Sequence, residues 1–165
     1  MIYRVRSQPG FSLIEVLVAL LVLSMGLLGL AALQTTGLKL NHQSYERTQA
    51  VLQTYDIIDR MRTNRSGSNR AINATYENVA LGNKPGNTDC LSVSCNVSQL
   101  AEFDIRQWNA ANETLLPQGK GAICRGTFSN NLNSCAVDTS ISIFRIAITW
   151  RENDLDMRLD VEAQP

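Results

Sequence analysis

From Phe11 to Leu33 the chain is apolar at nearly every position, and Glu15 is the only charge between Arg6 and Lys39. The run of about 23 residues would span roughly 35 Å as a helix, against a hydrocarbon core of about 30 Å, so a membrane-crossing segment is predicted. Past Leu33 the apolar positions thin out to a helical period. Tyr45, Thr48, Val51 or Leu52, Tyr55, Ile58 and Met61 recur at steps of three and four, which predicts one buried stripe. Glu46, Arg47, Gln49, Asp56, Asp59, Arg60 and Arg62 fill the remaining surface. No proline occurs between Pro9 and Pro85, so one helix is predicted from Phe11 to about Thr63, a rod of roughly 80 Å, ended by Asn64-Arg65-Ser66-Gly67-Ser68-Asn69.

Residues 64–97 read as a loop region in which Gly, Asn, Ser and Pro separate short apolar groups. A second helix is predicted from about Ser98, taken as its N-cap, to Leu116, with Leu100, Phe103, Trp108, Ala111 and Leu115 on its packed face and Pro117 as its stop. The last third alternates. A strand is expected over Ala122 to Phe128, turned by Asn130-Asn131. Phe144, Ile146, Ile148 and Trp150 then alternate with polar or small residues, as do Leu155, Met157, Leu159 and Val161 after the turn-like Arg151-Glu152-Asn153-Asp154. Two period-two runs joined by a short polar link predict an antiparallel hairpin with one buried face. The fold class expected is α+β: a long N-terminal helix packed by its second half on a C-terminal antiparallel β-sheet, with a second short helix.

Charge orients the apolar segment. Arg4 and Arg6 precede it and no acid does, which keeps the N-terminus cytoplasmic and sends the rest outward. A signal peptide removed after Ala31 is the rival reading, but its core usually holds about 7 to 15 apolar residues and no acid. A carboxylate within a spanning helix costs about 2.5 to 3.5 kcal/mol at the centre and less near an end, so Glu15 calls for a partner.

The chain's 15 Lys+Arg balance 15 Asp+Glu, and this zero formal charge gives no basic field to suggest nucleic acid. Cys90, Cys95, Cys124 and Cys135 all fall in the part placed outside the cytoplasm, where an even set favours two disulfides. Four cysteines allow three connectivities; the sequence-local pairing, Cys90–Cys95 and Cys124–Cys135, is adopted. Zinc favours shorter paired spacings, and the single histidine, His42, lies far from them. Asp154, Asp156 and Asp160 read as a solvated strand face rather than a Ca²⁺ site. Asn73, Asn96 and Asn112 begin glycosylation tripeptides, a short motif that arises by chance. No nucleophile set and no phosphate-cradling glycine loop occurs, so no enzyme, cofactor or metal site is predicted.

Gly10-Phe11-Ser12-Leu13-Ile14-Glu15 ahead of an unbroken apolar helix resembles the start of a type IV prepilin. The resemblance implies that a membrane-embedded prepilin peptidase cuts after Gly10 and methylates the new N-terminus at Phe11. Glu15 would be the family's acidic fifth residue. It lies one helical turn from the new amine and at the positive end of the helix dipole, so it suits its own chain's amine in the membrane. In a filament the resemblance implies that it receives the amine of a neighbouring subunit. Pilins also lose helical form along part of this helix on assembly, which marks Gly26 and Gly29 as sites of helix flexibility, although Ala32 stands near where major pilins often carry proline. The implied organisation is a leader over residues 1–10, a transmembrane and filament-core helix over 11–33, its amphipathic half over 34–63 and a periplasmic domain over 64–165.

A looser resemblance narrows the choice. Asp104, Trp108, Leu116-Pro117, Gly119 and Trp150 match the helix, the Leu-Pro-x-Gly link and the late Trp of the minor pilins known as type IV pilus modification proteins, the PilV group. Major pilins usually close their disulfide loop at the C-terminus, whereas Cys135 lies well short of Pro165. The function implied is a minor pilin that enters or primes a pilus serving adhesion and twitching. Its partners would be the peptidase, other major and minor pilins, the assembly machinery and the bacterial inner membrane, and its final place the extracellular pilus. A minor pseudopilin of a type II secretion system, and a membrane-anchored periplasmic enzyme or receptor, are the alternatives.

Overall fold

The computed structural model of the chain describes Gly10, residues 12–66 and residues 71–165. The first helix, α1, is continuous over Leu13–Thr63. The Ser12 carbonyl accepts from the Glu15 and Val16 amides and so sets its start. At its end Arg60 and Arg62 complement the negative pole, and the Asn64 amide still donates to the Arg60 carbonyl. The chain divides into two compact units, one through His42 and one over Gln43–Pro165. Every described residue from Ser12 to His42 is exposed, whereas Glu46, Ala50, Thr54, Ile57, Ile58 and Met61 are buried in the second unit.

Within that second unit, the buried stripe is not the one the apolar period predicts. Tyr45, Leu52 and Tyr55 are more than half exposed, and the covered positions are shifted round the helix. Ala50, Ile57, Ile58 and Met61 join the core, and small Ala50 and Thr54 are covered where bulky Tyr45 and Tyr55 are not.

Residues 64–66 and 71–97 hold more regular structure than a loop reading suggests. Strand β1 (Arg65–Ser66) pairs antiparallel with β2 (Ala71–Ile72), a 3₁₀ turn covers Ala74–Tyr76 and β3 is Asn78–Val79. Helix α2 runs over Val97–Leu115. Its N-cap is Asn96 rather than Ser98: the Asn96 side chain accepts from the Ser98 and Gln99 amides, and Gln99 reaches back to the Asn96 amide. Its buried face is also shifted. Ala101, Ile105, Trp108 and Asn112 are covered along with Phe103, Asp104 and Asn109, while Leu100 and Leu115 stay partly open. Apolar period alone misplaced this face because three of its members, Asp104, Asn109 and Asn112, are polar.

The strand expected over Ala122–Phe128 breaks at Arg125 into β4 (Lys120–Cys124) and β5 (Gly126–Phe128), which join different sheets. Strand β5 pairs with β6 (Cys135–Val137), and β4 pairs with β7 (Phe144–Glu152), which pairs with β8 (Leu155–Ala163). The main sheet is antiparallel in the order β3-β4-β7-β8. Asn153 and Asp154, both with positive φ, make the two-residue turn between β7 and β8. Phe144, Ile146, Ile148 and Trp150 of β7 meet Ile57, Met61, Ile105 and Trp108 in one core. The other face of the sheet buries Ala122 and Ala147 under Leu132. The result is the α+β arrangement of long helix, short helix and antiparallel sheet.

Candidate functional site

Two regions carry the residues singled out by sequence: the start of α1, and the contacts that hold α2 between α1 and the sheet. Gly10 is exposed, and Phe11 lies outside the described residues. Glu15 sits in the first turn of α1, exposed, at the positive end of the helix dipole. From Leu13 to Leu33 large apolar side chains are exposed all round the helix, with Leu13 at 80% and Leu28 at 71%. Such a surface demands lipid or other helices as its solvent, and the helix is long and apolar enough to cross a membrane. Gly26 and Gly29 lie inside the unbroken helix, with open space where a side chain would project.

In the second unit, Trp108 and Asp104 of α2 reach α1 by different routes. The Trp108 indole N–H donates to the Gln53 carbonyl at 2.8 Å, and Asp104 accepts from Arg60 at 3.2 Å. The other Asp104 oxygen accepts from the Tyr76 hydroxyl at 2.6 Å. Arg60 also donates to Asp56 and Gln107, and Asn64 donates to Tyr76. Burial and the bond to Asp104 push the Tyr76 phenol well above its usual range. Burial alone would lower the Arg60 pKa, but the carboxylates of Asp56 and Asp104 outweigh it and hold the guanidinium charged.

The Leu-Pro-x-Gly link is a tight exit from α2. The Leu116 amide donates to Asn112 and the Gly119 amide to Leu116, while the Pro117 carbonyl receives the Arg151 amide from β7. A Cβ at Gly119 would lie 2.1 Å from the Asn112 carbonyl oxygen, so only glycine fits. Two residues on, the Trp108 ring lies over Gly121, where a Cβ would come within 2.2 Å of it. Asn109 binds both sides, donating to the Asn83 carbonyl and accepting from the Gly121 amide. Trp150 packs into the same core. Asp104, Trp108, Leu116, Pro117 and Gly119 thus form a docking set. Sequence reasoning missed its partners: the Asp56–Arg60 spacing of four was the only local sign of Arg60, and Tyr76 gave none.

Cys90 is joined to Cys95 and Cys124 to Cys135. The first bridge closes a loop ahead of α2; the second ties the end of β4 to β6. Asn73 and Asn96 cap helices and Asn112 is fully buried, so each tripeptide asparagine is engaged in the fold. Asp154 and Asp160 lie beside Arg151 and Arg158, and among the described residues no group of acids, His and Cys is placed to hold a metal ion.

A prokaryotic N-terminal methylation motif matches residues 5–31, and the family model described as type IV pilin Tt1218 matches residues 32–106. The two meet end to end along α1. The chain belongs to the type IV prepilin family. No curated protein and no solved structure matches it. The methylation motif spans Gly10, Glu15 and both Gly26 and Gly29; it implies processing by a prepilin peptidase and assembly with other pilins. The pilin match takes in Arg60, Tyr76, Asp104 and the Cys90–Cys95 loop, and ends short of Trp108 and the main hairpin. As a pilin subunit the protein is structural in kind, and the apolar start of α1 fits an anchor in the inner membrane.

Proposed function

We propose that this pilin is a minor subunit of a type IV pilus, of the type IV pilus modification (PilV) group, which enters or primes the filament and performs no catalysis itself. The docking set of Asp104, Trp108, Leu116-Pro117 and Gly119 carries this reading. Each matched position makes a contact that neighbouring residues cannot make: a buried carboxylate, an indole donor, a helix stop and a glycine pressed on a carbonyl. The Cys124–Cys135 bridge lies well before Pro165 in the sequence, which agrees with it.

On this reading residues 1–10 are a leader cut after Gly10, and Phe11 becomes a methylated N-terminus. Residues 11–33 cross the inner membrane and later enter the filament core. The amphipathic half of the helix and residues 64–165 lie in the periplasm. Glu15 takes the amine of the adjacent subunit during assembly, and Gly26 and Gly29 let the helix yield there. Quantitative mass spectrometry of sheared pili tests the assignment. The protein should be present far below the major pilin, and its deletion should lower pilus number while type II secretion continues. Loss of secretion with intact pili would make it a pseudopilin instead.

A further inference from the structure

Ile148 and Trp150 of β7 join the core with α1, so Thr149 and Arg151 project from the opposite face of the sheet. On that face Lys120 of β4 pairs with Thr149, and Asp156 of β8 pairs with Arg151. These four residues, with Leu81 and Gln118, line a cavity of about 240 Å³. The register makes Lys120 and Arg151 diagonal neighbours across β4 and β7. Such neighbours lie about 7 to 8 Å apart, a span that two long side chains can close on one group.

The charges here are not neutralised within the fold. Among the described residues neither Lys120 nor Asp156 is in an ion pair. Arg151 reaches Asp154 only at 3.5 Å, and the Asp154 side chain is 95% exposed, so that contact holds it weakly. By contrast Arg145, Arg158 and Arg125, which line other cavities, are committed to Glu162, Asp160 and Glu77. The surrounding backbone is also fixed. Gly82, with a φ of +70°, lies against the Lys120 stem, where a Cβ would come within 3.2 Å of it. Its amide donates to the Gly121 carbonyl at 2.9 Å, and the Arg151 amide donates to the Pro117 carbonyl at 2.8 Å. Gln118 holds a positive φ of 54°, a conformation that costs energy in a residue other than glycine.

We propose that this cavity binds a small hydroxylated anion, the chemistry of a sugar acid, with its carboxylate between Lys120 and Arg151 and a neighbouring hydroxyl donating to Asp156. Two cations against one acid select an anion, and Asp156, which only accepts, favours one that also carries a donor. Thr149 and Gln118 add neutral hydrogen-bonding groups, and Leu81 adds an apolar wall. At about 240 Å³ the space lies below the roughly 300 to 1,000 Å³ of sites for drug-sized ligands, which limits it to a small ligand. The site belongs to the globular domain and does not depend on which filament the chain enters.

Calorimetric titration of the full-length, detergent-solubilised chain with glucuronate tests it, with glucose, acetate and inorganic phosphate as the other probes. Glucuronate should bind saturably in the millimolar range, and more weakly as salt is raised, because the cations are exposed. Glucose, which offers Lys120 and Arg151 no charge, should bind about tenfold more weakly. Acetate should also bind more weakly, having no hydroxyl for Asp156, and Asp156→Asn should narrow its gap to glucuronate. Lys120→Gln and Arg151→Gln should each lower glucuronate affinity about tenfold. Both side chains are exposed, so thermal melts of these variants should match wild type and a lost affinity reads the site rather than the fold. No saturable binding of glucuronate would overturn the proposal, as would equal binding of glucose or acetate, tighter binding of phosphate, or wild-type affinity in both charge variants. None of these results bears on residence in pili, which mass spectrometry of sheared pili reads separately.

Discussion

The Trp108 indole N–H lies 2.8 Å from the Gln53 carbonyl, so α2 is bonded to the backbone of α1 rather than merely packed on it. Trp108→Phe should keep most of the ring's packing and lose this bond, at about 0.5 to 1.5 kcal/mol. Trp108→Ala should cost about 3 to 5 kcal/mol by opening the core. Gly121→Ala forces a methyl into the space of the ring and should cost about 1 to 3 kcal/mol. Urea unfolding of the detergent-solubilised chain measures all three. Equal stability of the Phe and Ala variants would contradict this account of the docking.

Tyr76 gives the domain an alkaline limit. Burial and the bond to Asp104 raise its folded pKa above the unfolded value of about 10. Its contribution is therefore complete below about pH 10 and is lost as pH rises toward the folded value, because the unfolded state releases its proton first. Stability should fall as pH rises above about 10, with Tyr76→Phe showing a flatter profile there. At neutral pH the same variant should be less stable by about 1 to 3 kcal/mol, since the buried Asp104 loses a donor. Urea midpoints across the pH range check both, and parallel profiles for the two proteins would count against the assignment.

Much of this fold was legible in the sequence where one physical signal dominated. The proline-free run to Thr63 and the alternation through Trp150 and Val161 marked α1 and the β7–β8 hairpin, because length and period two leave few other arrangements. The N-terminal motif was equally plain, since Gly10, Phe11 and Glu15 are read in fixed order. Helix faces were harder. Ala50 and Thr54 are buried in place of Tyr45 and Tyr55, and hydrophobic period gives such small residues little weight. Asn96 and Ser98 are both favoured cap residues two positions apart, and the hydrogen bonds of the Asn96–Gln99 capping box decide between them. Tyr76 and Arg125 were invisible, since their partners lie far off in sequence, and Arg60 showed only its Asp56 partner; Arg125, for one, joins Glu77 to the carbonyls of Thr139 and Ile141.

The disulfides should differ in weight. Cys124–Cys135 spans 11 residues and joins two sheets, whereas Cys90–Cys95 spans 5 within one loop. Replacing the first pair by serine should cost about 2 to 5 kcal/mol and the second pair less, because a shorter closed loop constrains the unfolded chain less. Alkylation of the native protein should find no free thiol before reduction. A greater loss from the Cys90–Cys95 pair would reverse this order.

Glu15→Leu separates anchoring from assembly. The change removes the cost of placing a carboxylate in lipid, so membrane insertion should hold or improve. If Glu15 receives a neighbouring subunit's amine, the processed variant should accumulate in the membrane and fall in sheared pili. Equal wild-type and variant levels in pili would limit Glu15 to its own chain's amine.

Everything proposed for the start of α1 depends on how the chain is cut. Intact-mass and N-terminal analysis of the protein purified from membranes and from sheared pili is the most direct test. The mature chain should begin at Phe11 with a methylated amine, and replacing Gly10 by a bulky residue should leave the precursor in the membrane. A mature chain beginning at Ala32, or an uncut Met1, would contradict the pilin account.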